Sequence, residues 1–171
     1  MILHAVQTFE GTPDQVFPFF ADARNLERIT PDILNFRILT PGPIEMRDGT
    51  TIDYALRVSG IPVRWRSEIL NWHPNQYFVD QQLRGPYRKW VHEHRFIGRG
   101  TTTEMHDLVE YEVPGPAFVE RRFVRPRLEH IFRYRQEVLR WIFREAAPAS
   151  LHIGETAPEF AVRSAVREEI A

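Results

Sequence analysis

Thr51-Ile52-Asp53-Tyr54-Ala55-Leu56-Arg57-Val58-Ser59-Gly60-Ile61-Pro62-Val63-Arg64-Trp65-Arg66-Ser67-Glu68-Ile69 decides how this chain folds. Ile52, Tyr54, Leu56 and Val58 alternate with Asp53 and Arg57. Beyond Ser59-Gly60, Ile61, Val63, Trp65, Ser67 and Ile69 alternate with Arg64, Arg66 and Glu68. A period of two on both sides of a turn describes an antiparallel hairpin with one dry face and one wet face. Outward from it, strands are expected at 2–10, 35–39, 76–83, 88–97 and 101–113. Between the first two, Thr12-Pro13 opens a short helix that buries Phe17, Phe19 and Phe20. A second short helix near Asp22–Ile29 stops before Pro31. Residues 116–145 change to a 3.6-residue period, through Val124, Leu128, Ile131, Phe132, Val138, Leu139, Ile142 and Phe143. Pro126 interrupts this run, and either kinks the helix or separates a short helix from a main one that starts there.

One long antiparallel sheet followed by one long amphipathic helix buries both apolar faces in one way, by curling the sheet around the helix. The expected class is α+β: a curved antiparallel sheet of about seven strands around a long C-terminal helix, with two short helices after the first strand. The domain is expected to span 1–145, with 146–171 a tail of small and acidic residues. Residues 158–171 of that tail have the pattern of a weak helix. Such a tail docks on its own domain, stays disordered, or joins a second copy as a homodimer.

Composition narrows the chemistry. The chain has 171 residues and a formal charge of −1, with no general basic field for nucleic acid. Cysteine is absent, which removes disulfides, thiolate nucleophiles and cysteine-type zinc sites. Lys89 is the sole lysine, so a Walker-type phosphate loop is excluded and Lys89 alone is available for Schiff-base chemistry. No apolar run approaches the roughly 18 residues that cross a bilayer. The first residues carry no secretory pattern, so the expected location is cytoplasmic. The arginines of 121–144 read as a solvated helix face with glutamate partners such as Glu129–Arg133.

Particular runs carry a resemblance. They are Pro13-Asp14-Gln15-Val16-Phe17 with Phe20-Ala21-Asp22, Asn25-Leu26 with Ile29-Thr30-Pro31, and Gly60-Ile61-Pro62-Val63-Arg64-Trp65. Further on are Phe78-Val79-Asp80-Gln81-Gln82, Gly85-Pro86-Tyr87-Arg88-Lys89-Trp90 with His92 and His94, Asp107-Leu108-Val109-Glu110-Tyr111, and Leu128-Glu129-His130-Ile131-Phe132-Arg133-Tyr134-Arg135. Together they resemble the START-like SRPBCC superfamily of helix-grip proteins, nearest its cyclase/dehydrase-like ligand-binding members. The resemblance implies a cavity between sheet and C-terminal helix for a lipid-like or polycyclic molecule. It implies no single reaction and no cofactor. Pro126 and the tail depart from the pattern.

The densest polar cluster is Trp90-Val91-His92-Glu93-His94-Arg95-Phe96. Alternation puts Trp90, His92 and His94 on one face, and Met105, Asp107 and Tyr111 on the matching face of the next strand. Phe78, Asp80 and Gln82 come from the strand before, and Tyr54 and Trp65 close the wall. Leu128 and Phe132 face them from the helix. Four roles stay open for His92, His94 and Asp107: a satisfied buried network, polar recognition of a ligand, acid–base catalysis of cyclisation or dehydration, and a weakly supported metal site. Gly85-Pro86-Tyr87 reads as a strand-connecting turn or as a gate. Binding of a hydrophobic small molecule is therefore the expected function. A polyketide-type cyclase or dehydratase, and an interaction module with a filled interior, are the alternatives.

Overall fold

The computed structural model describes residues 1–156. Among these residues, eight antiparallel strands form one sheet. In chain order they are β1 (Ile2–Glu10), β2 (Arg37–Ile38), β3 (Thr51–Val58), β4 (Ile61–His73), β5 (Tyr77–Arg84), β6 (Lys89–Arg99), β7 (Thr102–Glu112) and β8 (Glu145–Gly154). Their order across the sheet is β2-β3-β4-β5-β6-β7-β1-β8. Between β1 and β2 lie α1 (Pro13–Phe20), α2 (Asn25–Arg28) and a 3₁₀ turn at Asp32–Leu34. The N–H of Thr12 donates to Gln15 Oε1 at 3.0 Å, fixing the start of α1. Val16, Phe17 and Phe20 point from α1 into the core, where Phe17 meets Phe96 edge-on and Phe19 remains partly buried.

The C-terminal helical segment runs without a gap from Ala117 to Ile142, and its main α-helical part starts beside Pro126. A turn, α3 (Ala117–Val119), leads through a π-helical stretch at Glu120–Val124 into α4 (Arg125–Ile142). Pro126 lies in the first turn of α4, directly after the π-helical stretch. Leu128, Phe132, Arg135, Gln136 and Leu139 form its buried stripe.

The eighth strand corrects the tail boundary. Residues 146–154 belong to the domain: β8 pairs antiparallel with β1, from Ile2↔Gly154 to Phe9↔Glu145. Pro148 hid this strand. It lacks an N–H and falls where the β1–β8 register shifts, between the Val6↔Ser150 and Thr8↔Ala147 pairs. Proline is tolerated at such irregularities on an edge strand. The helix expected at 158–171 lies outside the described residues.

Gln136 is the link between helix and new edge. Its Nε2 donates to Ser150 O at 2.8 Å, and its main-chain carbonyl accepts from Gln7 Nε2 at 2.9 Å. Replacing Gln136 with Ala should cost about 1–2 kcal/mol in urea unfolding. Amide exchange should accelerate along β8 while that of β6 and β7 stays slow.

Candidate functional site

The β6–β7 register places His94 opposite Asp107 and His92 opposite Val109, so Asp107 faces one histidine and lies diagonal to the other. All three are buried. His92 Nε2 stands 2.9 Å and His94 Nδ1 2.8 Å from the same oxygen, Asp107 Oδ1. An ionised carboxylate only accepts, which assigns the hydrogen of His92 to Nε2, whereas His94 Nδ1 also faces Arg135 Nη2, an obligate donor, at 3.4 Å. The other oxygen, Oδ2, meets Arg135 Nε of α4 at 3.2 Å. That N–H is not aimed along a hydrogen-bond direction, so the contact is an ion pair.

Charges follow from this geometry. Burial by itself raises the Asp107 pKa. The Arg135 charge and the hydrogen bonds from His92 and His94 outweigh it and hold the carboxyl well below the usual range. Burial, then the neighbouring His92, lowers His94 to about 3. His92, His94 and Asp107 offer ligand atoms all within 4.8 Å of one another, a spacing compatible with a metal. Arg135 already stands there as the cation, 3.4 Å from His94 Nδ1 and 3.2 Å from Asp107 Oδ2, and repels a second one.

Beside this cluster, between sheet and helix, lies a cavity of about 310 Å³ that side chains leave unfilled. Of the residues chosen from sequence, Tyr54, Trp65, Asp80, Trp90 and His92 line it from the sheet, and Leu128 and Phe132 from α4. Phe78 and His94 border a smaller chamber of about 70 Å³, which shares Tyr54, Asp80, His92 and Arg135 with the larger. Gln82, Met105, Asp107 and Tyr111 line neither cavity. Gln82 Nε2 donates to Tyr87 O at 2.8 Å and fastens the Gly85–Tyr87 turn. Met105 packs in the core. Tyr111 OH donates to Glu120 at 2.8 Å, tying the sheet to the π-helical stretch. Pro86 and Tyr87 line the cavity, so the turn is also part of its wall; Tyr87 packs on Trp65 and Trp90. Lys89 pairs with Glu110 at 2.6 Å, and both side chains are partly exposed.

Sequence reasoning missed Arg135, which is buried at the inner end of the cavity rather than solvated. The signal was its place in the stripe 128–132–135–139, which keeps to one helix face. It also missed the wall supplied by Leu26, Ile29, Leu34 and Phe36, because short irregular segments carry no periodicity. The inner end is polar: Ser67, Asp80, His92 and Arg135, with Tyr54 beside them. Trp65 Nε1 donates to Ser67 Oγ at 3.1 Å. Asp80 Oδ1 is buried and has no hydrogen-bond partner. Burial raises the Asp80 pKa, against weaker opposing effects of Ser67, His92 and Arg135.

A curved sheet gripping a terminal helix around an apolar cavity is the START-like SRPBCC architecture, and this chain has it. The chain belongs to the family described as polyketide cyclase / dehydrase and lipid transport, whose model matches residues 10–140. Solved structures share the fold at low identity. TTHA0849 from Thermus thermophilus is 16% identical with a TM-score of 0.64, over 81% of this chain and 94% of that one. The ZhuI aromatase/cyclase from Streptomyces sp. R1128 is 15% identical with a TM-score of 0.62, over 84% and 96%. A START superfamily protein from Mycobacterium smegmatis is 14% identical with a TM-score of 0.56, over 82% and 98%. No curated protein matches the chain.

The buried histidine sets a pH dependence. Unfolded, His94 titrates near its ordinary value of 6.5; folded, near about 3. Between these values the unfolded chain binds more protons, so stability is complete above that ordinary value and falls as pH falls. The slope from His94 is at most about 1.4 kcal/mol per pH unit. His4, lowered to about 4 by burial and by His106, acts in the same direction. Asp107 also loses stabilisation on acidification, but only below the ordinary carboxylate range. His94→Gln should flatten the slope by up to one proton between about pH 6.5 and about pH 4.5, as read by urea unfolding.

Proposed function

We propose that the protein binds an apolar small molecule, aromatic or lipid-like, with one hydrogen-bonding group seated against Asp80. The observation that carries this reading is the unpartnered Asp80 oxygen at the inner end of an otherwise largely apolar cavity. An unsatisfied buried polar atom costs about 1–3 kcal/mol, a cost that a ligand hydroxyl or phenol removes by donating to it. The volume, about 310 Å³, sits at the low end of small-molecule sites, which run from about 300 to 1,000 Å³. That size favours a few fused rings or one short chain over a two-chain lipid. Trp65, Trp90 and Tyr87 supply an aromatic wall, and Ser67, His92 and Arg135 surround the ligand's polar end.

Trp65 and Trp90 make binding visible as a change in intrinsic fluorescence. The protein should bind 2-naphthol more tightly than naphthalene, and native mass spectrometry should detect the 2-naphthol adduct. Asp80→Asn should lower 2-naphthol affinity by about tenfold while leaving naphthalene unchanged. The same substitution should stabilise the empty protein at neutral pH. A raised carboxyl pKa favours folding at low pH and loses that contribution as pH rises through its folded value. Equal binding of both compounds by both proteins would refute the role given to Asp80.

The His92–Asp107 pair favours a second reading, cyclase or dehydratase chemistry. Asp107 holds the hydrogen on Nε2, which leaves Nδ1 as the basic atom of a ring that borders the cavity. Such a base takes a proton from carbon beside a ligand carbonyl. The resulting enolate closes on a second carbonyl, and the aldol product loses water. In this reading His92 is the catalytic residue, and Asp107 and Arg135 position it. His92→Gln should lower turnover of a linear poly-β-ketone by about 10²–10⁴-fold while 2-naphthol binding persists.

A further inference from the structure

We propose that the rim around the cavity mouth docks on an anionic lipid surface. Four bulky apolar side chains stand out on it or next to residues that line it, Ile61 following Gly60 and Phe118 preceding Val119: Ile33 is 78% exposed, Ile61 66%, Phe118 56% and Phe123 57%. They come from four separate segments: the 3₁₀ turn, the start of β4, α3 and the π-helical stretch. Ile33, Gly60 and Phe123 border one groove together with Arg57, Arg122 and Arg127. Leu34, Arg127 and Ile131 line both this groove and the cavity, so the rim is continuous with the cavity wall.

The charge at this end is unbalanced. Glu120 is taken up by Arg125 and by Tyr111. Arg57 and Arg122 have no carboxylate partner among the described residues, and Arg127 donates to the neutral Ser59 hydroxyl at 2.6 Å. Asp32, beside Ile33, is the acid of the rim, and Glu129 lies one turn beyond Arg125. Separated apolar tips set among cations match the boundary between anionic headgroups and acyl chains: the tips enter the hydrocarbon and the arginines stay with the phosphates. Docking goes beyond the binding reading and does not need it, since the rim contacts the bilayer whether or not the cavity is filled. When both hold, the mouth opens onto the phase in which an apolar ligand is dissolved.

Co-sedimentation with vesicles tests this in the absence of any cavity ligand. The protein should bind vesicles of equal parts phosphatidylglycerol and phosphatidylcholine, bind pure phosphatidylcholine weakly, and be released by high salt. The pairs I61S/F123S and R57Q/R122Q should each reduce binding by about tenfold or more. Trp141, 90% exposed at the far end of α4, supplies the control: W141S should bind as the parent does. Thermal unfolding of each variant is measured alongside, and the exposure of these side chains predicts unchanged midpoints. The proposal is overturned by absence of vesicle binding, by full binding of either pair, or by an equal loss in W141S. Capture by polyglutamate without vesicle binding overturns it as well, and points to an acidic protein.

Discussion

Arg135 and Asp107 meet inside the molecule, one on the helix and one on the sheet, and the rest of the interior is arranged around that contact. Neither charge has ready access to water, and desolvating both is expensive unless the partners are held in good geometry. His92 and His94 complete the arrangement by occupying the other carboxylate oxygen. The pair therefore fixes where α4 crosses the sheet and how it is rotated about its axis. Leu128 and Phe132 are thereby turned to the cavity, and Leu139 to the core beyond it. Gln136 fixes the same crossing from the other side through β1 and β8.

That arrangement leaves two interior aspartates, Asp107 buried and Asp80 half-buried, in opposite conditions. Asp107 has a cation and two imidazole rings against its oxygens, while Asp80, two strands across the sheet, has a buried oxygen with no partner. In the binding reading proposed above, the unpartnered Asp80 oxygen costs folding free energy that a hydrogen-bonding ligand recovers. The family to which the chain belongs spans cyclase and dehydrase chemistry and lipid transport. A cavity with one polar end and aromatic walls suits either use, and His92 is where the two diverge.

Much of this is legible in the sequence, for identifiable reasons. The β3–β4 hairpin announced itself because one face is wet, and alternation in Ile52–Val58 and Val63–Ile69 is the direct record of that. His92, His94 and Asp107 were placed together because two strands joined by Gly98–Gly100 have few possible registers; the observed one sets His94 against Asp107. Arg135 was not legible as buried, because an arginine in an arginine-rich helix looks solvated and its counter-ion is 28 positions away in the chain. β8 was hidden by proline and alanine in an edge strand, where partner geometry overrides propensity. The cavity's size followed from neither period nor composition, since it is the space left after the helix docks.

The most direct test of this account is a carbon-13 carboxyl NMR titration that follows Asp80 and Asp107 in one sample. Asp107 should stay ionised to the lowest pH at which the protein remains folded. Asp80 should take up its proton above the pH at which exposed aspartates do. If both titrate with the exposed aspartates, the buried pair does not organise the interior as described, and Asp80 is not held in reserve for a ligand.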